Sequence, residues 1–214
     1  MKVGIFLQGD RKALDEHFRM GALACAAVHK AMPGVEVVHL SDGTTEQMEG
    51  SDSVLRISGA MPMAMRRMLH NATVEGEWLF IDPDVIVQQD VSDVFNEAFD
   101  VALTDRLGTI TYEGAYAKQM PINLGIAFSR NLSFWKRVLY HMHTISPKLQ
   151  EWTGDQLVVC EMIRQKLVDD FKIKMLPGLL YNFPPSSEHD ERIKNAFIAH
   201  WKGNRKKWLL KGAS

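Results

Sequence analysis

The chain has 214 residues, of which 46% are hydrophobic and 24% are charged, an ordinary composition for a folded domain. This composition excludes collagen-like, disordered and disulfide-rich proteins. The 25 basic and 26 acidic side chains nearly cancel, so overall charge draws the chain neither to nucleic acid nor to an anionic membrane. We therefore expect a single domain over residues 1–214.

The first residues and the two cysteines indicate the cellular compartment of the protein. The apolar run at residues 3–7 is too short for a signal peptide or a membrane span. Cys25 and Cys160 fall within apolar helical patterns, where a free thiol usually behaves as a buried hydrophobic side chain. Both observations favour a cytoplasmic protein in a reducing environment.

The first part of the chain alternates strand and helix patterns. Residues 3–7 and 35–40 have the pattern of buried strands, and the apolar side chains between them recur at helical spacing until residues 32–34, which contain Pro and Gly. A third strand is predicted at 54–57, and a helix with a buried methionine face at 61–69.

The alternation continues to the end of the chain. Residues 78–81 are all apolar, as expected of a strand that is covered on both faces of a sheet. The later predicted elements are a short helix at 92–98, strands at 101–103 and 122–128, a helix around Trp135, a helix after Thr153, and strands at 173–176 and 196–200. This order predicts an α/β domain with a mostly parallel central sheet flanked by helices. Ligands of such sheets bind beyond the carboxyl ends of the strands, so the residues that follow strands are the functional candidates.

Two carboxylates follow the apolar strand at 78–81. Asp82 and Asp84 are two positions apart, so in an extended chain both side chains point the same way and can face one hard divalent cation. A surface turn uses the same residue types for local hydrogen bonds. Taken alone, the pair is a weak signal for a metal, and the apolar residues on either side, at 78–81 and 85–87, argue against an ordinary exposed turn.

A second group of candidates lies near the end of the chain. His200 ends the last predicted strand, and Gly203 and Lys206 follow it. Histidine is a common metal ligand, glycine lets the backbone approach a phosphate, and lysine offers it a positive charge. Taken alone, this stretch is better explained by a buried histidine and a solvated basic tail. Together with the two aspartates, it supplies the groups that a metal-bound diphosphate needs.

Four segments carry a resemblance to a known family. They are the strand with Asp82-Pro-Asp84 and then Asp90-Val-Ser-Asp-Val-Phe, Asn123-Leu-Gly125 with Asn131-Leu-Ser-Phe-Trp135, Gly154-Asp155-Gln156, and His200-x-x-Gly203-x-x-Lys206-x-Trp208. Their order and spacing resemble retaining glycosyltransferase family 8 of the GT-A fold, to which glycogenin and bacterial galactosyltransferases belong. The resemblance covers residues 78–208, and the strand and helix at the start, with Asp10, fit it less specifically.

The resemblance implies a single GT-A domain that transfers a sugar from a nucleotide diphosphate donor, expected to be a UDP-sugar, to an acceptor hydroxyl with retention of anomeric configuration. It implies that Asp82, Asp84 and His200 hold a divalent ion, and carboxylate and imidazole ligands together favour Mn2+ over Mg2+. Asp155 and Gln156 are the implied catalytic residues. The implied donor-binding residues are Asn123, Gly125, Gly203, Lys206, Arg66 and Asp10.

Individual roles follow from the same resemblance. Asp155 and Asn123 would hydrogen-bond the donor sugar, and Gln156 would lie near the anomeric carbon, where its weak nucleophilicity favours front-face attack. The family has an arginine near the donor, for which we choose Arg66 over its neighbour Arg67. Asp155 and Gln156 also have a structural explanation, because Thr153-x-x-Gln156 has the spacing of a helix capping box.

Other functions compete with this prediction. A haloacid-dehalogenase-like phosphohydrolase also places Asp-x-Asp after an apolar strand, and Lys166 with Asp169-Asp170 could serve as its later lysine and acidic pair, but its motif normally follows the first strand of the chain. A sugar-nucleotide pyrophosphorylase would need a glycine- and arginine-rich first loop, which is absent from residues 3–14. A non-catalytic sugar-nucleotide-binding domain is a third alternative. The basic residues within 202–211 also allow a nucleic-acid acceptor, although a solvated tail explains them more simply.

Overall fold

Strands and helices alternate along the computed structural model, which describes residues 1–106, 120–151 and 153–211. The strands are β1 (Lys2–Phe6), β2 (Glu36–Ser41), β3 (Ser53–Arg56), β4 (Trp78–Ile81), β5 (Val85–Val87), β6 (Val101–Asp105), β7 (Ile122–Ser129), β8 (Ile173–Leu176) and β9 (Ile198–His200). The helices are α1 (Asp15–Ala31), α2 (Met63–Asn71), α3 (Leu132–Met142), α4 (Pro147–Gln150), α5 (Gly154–Arg164), α6 (Gly178–Tyr181) and α7 (Lys206–Lys211), with short 3-10 helices at Ser92–Asn96, Glu191–Asn195 and Gly203–Arg205. Within the described ranges, no helix has both the length and the apolar character needed to cross a membrane.

Seven strands form one sheet in the spatial order β3-β2-β1-β4-β7-β6-β8. The pairs β1 with β2, β1 with β4, β2 with β3 and β6 with β8 are parallel. Strand β7 is antiparallel to both of its neighbours, β4 and β6. The predicted α/β fold with a mostly parallel central sheet is confirmed. The reversed direction of β7 is not predicted, because a buried apolar run has the same pattern in either direction.

Strand β4 lies in the middle of the sheet and is buried on both faces. Leu79 and Ile81 pack into the hydrophobic cluster on one face, together with Phe18 of α1. Trp78 and Phe80 pack into a second cluster on the other face, against side chains of α2, α3 and α5. The alternation follows from the two-residue period of a strand. The acidic residues that end β4 are thereby held at the edge of a rigid core.

The two cysteines are buried and free. Burial raises the pKa of the Cys25 thiol to about 12, and burial also raises the pKa of Cys160. A thiol that keeps its proton is a poor nucleophile and a poor metal ligand. Their placement agrees with the predicted role as small hydrophobic side chains of the core.

A separate two-stranded sheet places β9, near the end of the chain, beside the residues that follow β4. Strand β5 pairs antiparallel with β9, and the N–H of Trp201 donates to the carbonyl of Asp84 over 2.9 Å. On the other side, the N–H of Asp82 donates to the carbonyl of Gly125, also over 2.9 Å. These two backbone bonds bring His200 and the middle of β7 against the aspartates.

Candidate functional site

A cavity of about 520 Å³ opens beyond the carboxyl ends of β1 and β4. Its volume lies within the range of roughly 300–1,000 Å³ that is typical of small-molecule sites. Apolar side chains, among them Leu7, Leu14 and Met63, form part of the wall. The sequence-predicted site residues that line the cavity are Asp82, Asp84, Asn123, Gly125, Asp155, Gln156, His200, Gly203 and Lys206.

Three potential metal ligands converge in this cavity. The Nε2 atom of His200 lies 3.2 Å from Oδ1 of Asp84 and 3.8 Å from Oδ2 of Asp82. One ligand atom from each residue lies within 4.8 Å of the other two. Asp84 and His200 are 4% and 2% exposed, so their polar atoms are largely withdrawn from water. Two carboxylates and an imidazole are a donor set that suits a divalent ion such as Mn2+.

Gly125 leaves the space in which these ligands meet. A Cβ atom at this position would lie 2.3 Å from Cε1 of His200 and 2.7 Å from Oδ2 of Asp82. Such distances are shorter than any ordinary contact, so a larger residue would push the ligands apart. The three ligands and the open space between them therefore fit a bound metal ion. Glycine at position 125 keeps that space free of a side chain.

Lys206 supplies positive charge beside the metal ligands. Its Nζ lies 3.3 Å from Oδ2 of Asp84 and donates to Nε2 of His17 over 3.4 Å. Burial alone would raise the pKa of Asp84, but His200 and Lys206 outweigh it and hold that pKa well below its usual range. Burial and the nearby Lys206 lower the pKa of His17. Asp84 is thus a carboxylate, and His17 a neutral acceptor, at physiological pH.

Arg67, rather than Arg66, reaches the cavity. Nη1 of Arg67 lies 3.1 Å from Oδ1 of Asp82 and 3.6 Å from Oδ2 of Asp155, and Nη2 donates to the carbonyl of Leu124. Burial acts against its charge, but these carboxylates raise the pKa of Arg67. The choice of Arg66 is therefore corrected: its guanidinium donates to backbone carbonyls at the end of β3 and does not line the cavity. Successive helix positions point in different directions, which the motif spacing could not resolve.

Asp155 and Gln156 stand at the start of α5 and are buried. The side chain of Thr153 makes no capping hydrogen bond, so the capping-box interpretation is wrong. Oε1 of Gln156 instead accepts from the N–H of Leu124 over 3.2 Å. Burial raises the pKa of Asp155, although Arg67 partly offsets the effect. Both side chains are held at the cavity wall by contacts with β7 and α2.

Two other predicted donor residues have different local roles. Asp10 is exposed and does not line the cavity, and its Oδ1 accepts from the N–H groups of Lys12 and Ala13 over 2.9 and 3.1 Å. It therefore fixes the turn that leads into α1. Gly203 does line the cavity and has a φ of +63°, a backbone conformation that favours glycine.

The lysine and acidic pair that a phosphohydrolase would need lie away from Asp82 and Asp84. Asp170 forms an ion pair with Arg137 on the exposed surface, between α3 and the turn after α5. Neither Lys166 nor the acidic pair Asp169-Asp170 lines the cavity that contains Asp82. The structure therefore does not bring together the residues that such an enzyme would need.

No family model matches the chain, and no curated protein matches it. Solved structures do resemble it. A glycosyltransferase involved in the glycosylation of the major capsid of PBCV-1 is 13% identical with a TM-score of 0.60, and the match covers 100% of both chains. The galactosyltransferase LgtC, solved with donor and acceptor sugar analogs, is 14% identical with a TM-score of 0.60 over 99% of this chain and 94% of that chain. The chain has the GT-A glycosyltransferase fold.

A third GT-A structure extends the comparison. The glycosyltransferase GlyE from Streptococcus pneumoniae TIGR4 is 17% identical with a TM-score of 0.61. The match covers 100% of this chain and 60% of the GlyE chain. The similarity to GlyE therefore extends over only part of that longer chain.

Sequence reasoning missed several residues of this GT-A site. His17 on α1 and Asn182 after α6 were not singled out, because a lone polar residue far from the motifs carries no spacing signal. Gln8, shortly after β1, also lines the cavity, and its buried Oε1 has no hydrogen-bond partner among the described residues. The sequence feature that pointed to Gln8 was its position directly after the apolar run at residues 3–7, since ligands of such sheets bind beyond the ends of the strands.

Proposed function

We propose that the protein is a metal-dependent glycosyltransferase that moves a sugar from a UDP-sugar to an acceptor hydroxyl with retention of anomeric configuration. The observation that carries this proposal is the convergence of Asp82, Asp84 and His200 beside Lys206 in the cavity of a GT-A fold. Asp84 is buried and Asp82 partly buried, and a metal-bound diphosphate would give the two carboxylates, the imidazole and the ammonium group of Lys206 a shared function.

Asp82, Asp84 and His200 would hold the ion, with Mn2+ favoured by the mixed ligands and Mg2+ as the alternative. When bound, the ion supplies Lewis-acid stabilisation of the negative charge on the leaving diphosphate. Lys206 adds a second positive charge that is in place before the reaction, because Asp84 already orients its ammonium group. His17 holds the same ammonium from the side of α1.

The donor sugar would lie between α5 and β7. Oδ1 of Asn123 already accepts from the N–H of Gly125 and from Asn182, so its Nδ2 group is left to donate to a sugar hydroxyl. Asp155 would accept from another hydroxyl while Arg67 balances its charge. This division of donor and acceptor roles would fix the sugar in one orientation.

Gln156 would face the anomeric carbon. Its neutral amide is a weak nucleophile, and Oε1 is occupied by the N–H of Leu124, which supports front-face attack by the acceptor hydroxyl. In that step the new C–O bond forms as the bond to the diphosphate breaks. The hydroxyl proton passes to the leaving phosphate oxygen, so the chain need not supply a general base.

Donor turnover tests the proposal. The protein is incubated with a panel of UDP-hexoses and MnCl2, and release of UDP and free sugar is followed by NMR. We expect release from at least one donor, loss of release in Asp84→Ala, and unchanged release in Asp170→Ala, a matched surface carboxylate. A sugar that first appears with the anomeric configuration of its donor supports retention, and the opposite anomer contradicts it. Absence of release from every donor together with absence of UDP binding would overturn the proposal.

A further inference from the structure

Asn182 lies directly behind the predicted metal ligand His200. It follows α6 and is 1% exposed. Its Oδ1 lies 2.9 Å from Nδ1 of His200, on the side of the imidazole ring away from the aspartates. The opposite ring nitrogen, Nε2, is the one that faces Asp82 and Asp84.

The surroundings of Asn182 fix which end of its amide meets the histidine. Its Nδ2 donates to Oγ1 of Thr104 over 2.7 Å and to Oδ1 of Asn123 over 3.0 Å. Thr104 uses its own hydroxyl proton to donate to the backbone carbonyl of Asn123, and Oδ1 of Asn123 also accepts from the N–H of Gly125. Both groups are therefore acceptors toward Asn182. An exchanged amide would place an oxygen against two acceptors.

The amide orientation dictates the protonation of the histidine ring. Because Oδ1 of Asn182 can only accept, Nδ1 of His200 must carry a proton. Nε2 is then the nitrogen that can offer a lone pair, and it points at the two aspartates. Hydrogen bonds of this kind fix ring orientation and tautomer in metal sites.

We propose that Asn182 is a positioning residue with two tasks: it directs the Nε2 lone pair of His200 toward the metal, and it orients the amide of Asn123 toward the donor sugar. The proposal rests on the metal site of the proposed function. It links metal binding and sugar recognition through one buried side chain that touches neither the metal nor the sugar.

The two tasks can be separated by substitution. Asn182→Ala removes both, and we expect Mn2+ affinity to fall by about 10- to 100-fold, the usual effect of losing such a partner. Asn182→Asp keeps an oxygen for Nδ1 of His200 but loses the N–H donor to Asn123. It should therefore retain Mn2+ affinity while losing the extra affinity that a UDP-hexose has over UDP.

Mn2+ binding is measured by electron paramagnetic resonance of the free ion, without substrate turnover. Ser129→Ala is the matched control, because it removes a buried side-chain hydrogen bond, the one that Nε1 of Trp135 donates to Oγ of Ser129, outside the cavity and away from Asn182. Its Mn2+ affinity should equal that of the parent. NMR of the Nδ1–H group of His200 in the Mg2+-bound protein gives a readout that a purely structural role would not change: the shift of a hydrogen-bonded proton should be present in the parent and in Asn182→Asp and lost in Asn182→Ala.

The outcomes distinguish this proposal from the proposed function. If the parent binds Mn2+ and Asn182→Ala, still folded, binds it equally well, the positioning role is wrong and the metal site stands. If Asn182→Ala does not fold, an Nδ1–H of His200 in the Mg2+-bound parent that lacks the shift of a hydrogen-bonded proton, or lost Mn2+ affinity in Asn182→Asp, overturns the role. If the parent binds neither ion, the metal site and this proposal both fail.

Discussion

Substitution of Gly125 by alanine should abolish metal binding through a single methyl group. The added Cβ would lie 2.3 Å from Cε1 of His200, 2.7 Å from Oδ2 of Asp82 and 2.8 Å from Oδ1 of Asn123. Carbon atoms pack at about 3.5–4.0 Å, so the imidazole would have to move by about 1 Å or more. His200 is held by Asn182 behind it and by the β5–β9 ribbon, so the shift would displace a ligand from the place where the three meet.

The expected cost in stability is that of overpacking a well-filled site, about 1–3 kcal/mol. For a chain of this size, each kcal/mol lowers the melting temperature by roughly 2–4 °C. Mn2+ affinity should fall much further than this modest destabilisation would suggest, and it is measured by electron paramagnetic resonance alongside a thermal melt.

Gly34→Ala is the matched control for this experiment. Gly34 has a φ of +85°, and among the described residues no neighbouring side chain or backbone atom lies within 4 Å of where an added methyl group would sit. The substitution therefore costs backbone strain without touching the site. The variant should be destabilised and still bind Mn2+ with the parent's affinity. A Gly125→Ala protein that binds Mn2+ as tightly as the parent would refute the steric argument.

Three further predictions concern charge. Arg67→Ala should lower the free energy of unfolding by about 3 kcal/mol, because two acidic groups lose their shared partner; an unchanged chemical denaturation midpoint would contradict this. Lys206→Met should weaken UDP binding in calorimetry, whereas Lys207→Met, a neighbouring lysine, should not, and equal effects would argue against a specific diphosphate contact. Burial lowers the pKa of His39, and it lowers that of His70 to about 4. Unfolded histidines take up protons near pH 6.5, whereas the folded protein protonates His70 only near pH 4, so the free energy of unfolding should fall as the pH drops from about 6.5 toward 4. His39 should add to this fall in the same direction. Denaturant titrations across this range should show the fall, His70→Gln should show a smaller one, and identical slopes would contradict the assignment.

The parts of the fold that were predictable are those with a periodic signal. The apolar run that ends at Asp82 identified the central strand, and its period of two divides its side chains between the two hydrophobic clusters. Strand direction carries no such signal, which is why the antiparallel β7 was not predicted. Asp82 and His200 belong to two of the segments that carry the family resemblance. In the structure they lie close together because β5, which follows Asp84, pairs with β9, which ends at His200.

The parts of the site that escaped prediction depend on side-chain direction. Arg66 and Arg67 are adjacent in sequence, and only the rotation of α2 decides which of them reaches Asp82. Thr153 and Gln156 have the spacing of a capping box, but Gln156 makes a tertiary contact with β7 instead. Asn182 and His200 are 18 residues apart in sequence, and no periodicity or motif spacing predicts a hydrogen bond between them.

The central claim is that the three converging ligands bind a metal ion that in turn holds a nucleoside diphosphate. Isothermal titration calorimetry of UDP into the parent protein, with and without MnCl2, tests it most directly, with Asp84→Ala as the comparison. The account predicts saturable binding of UDP that requires Mn2+ and disappears in the Asp84→Ala protein. Binding of UDP that is equally strong without a divalent ion, or no binding under either condition, would contradict it.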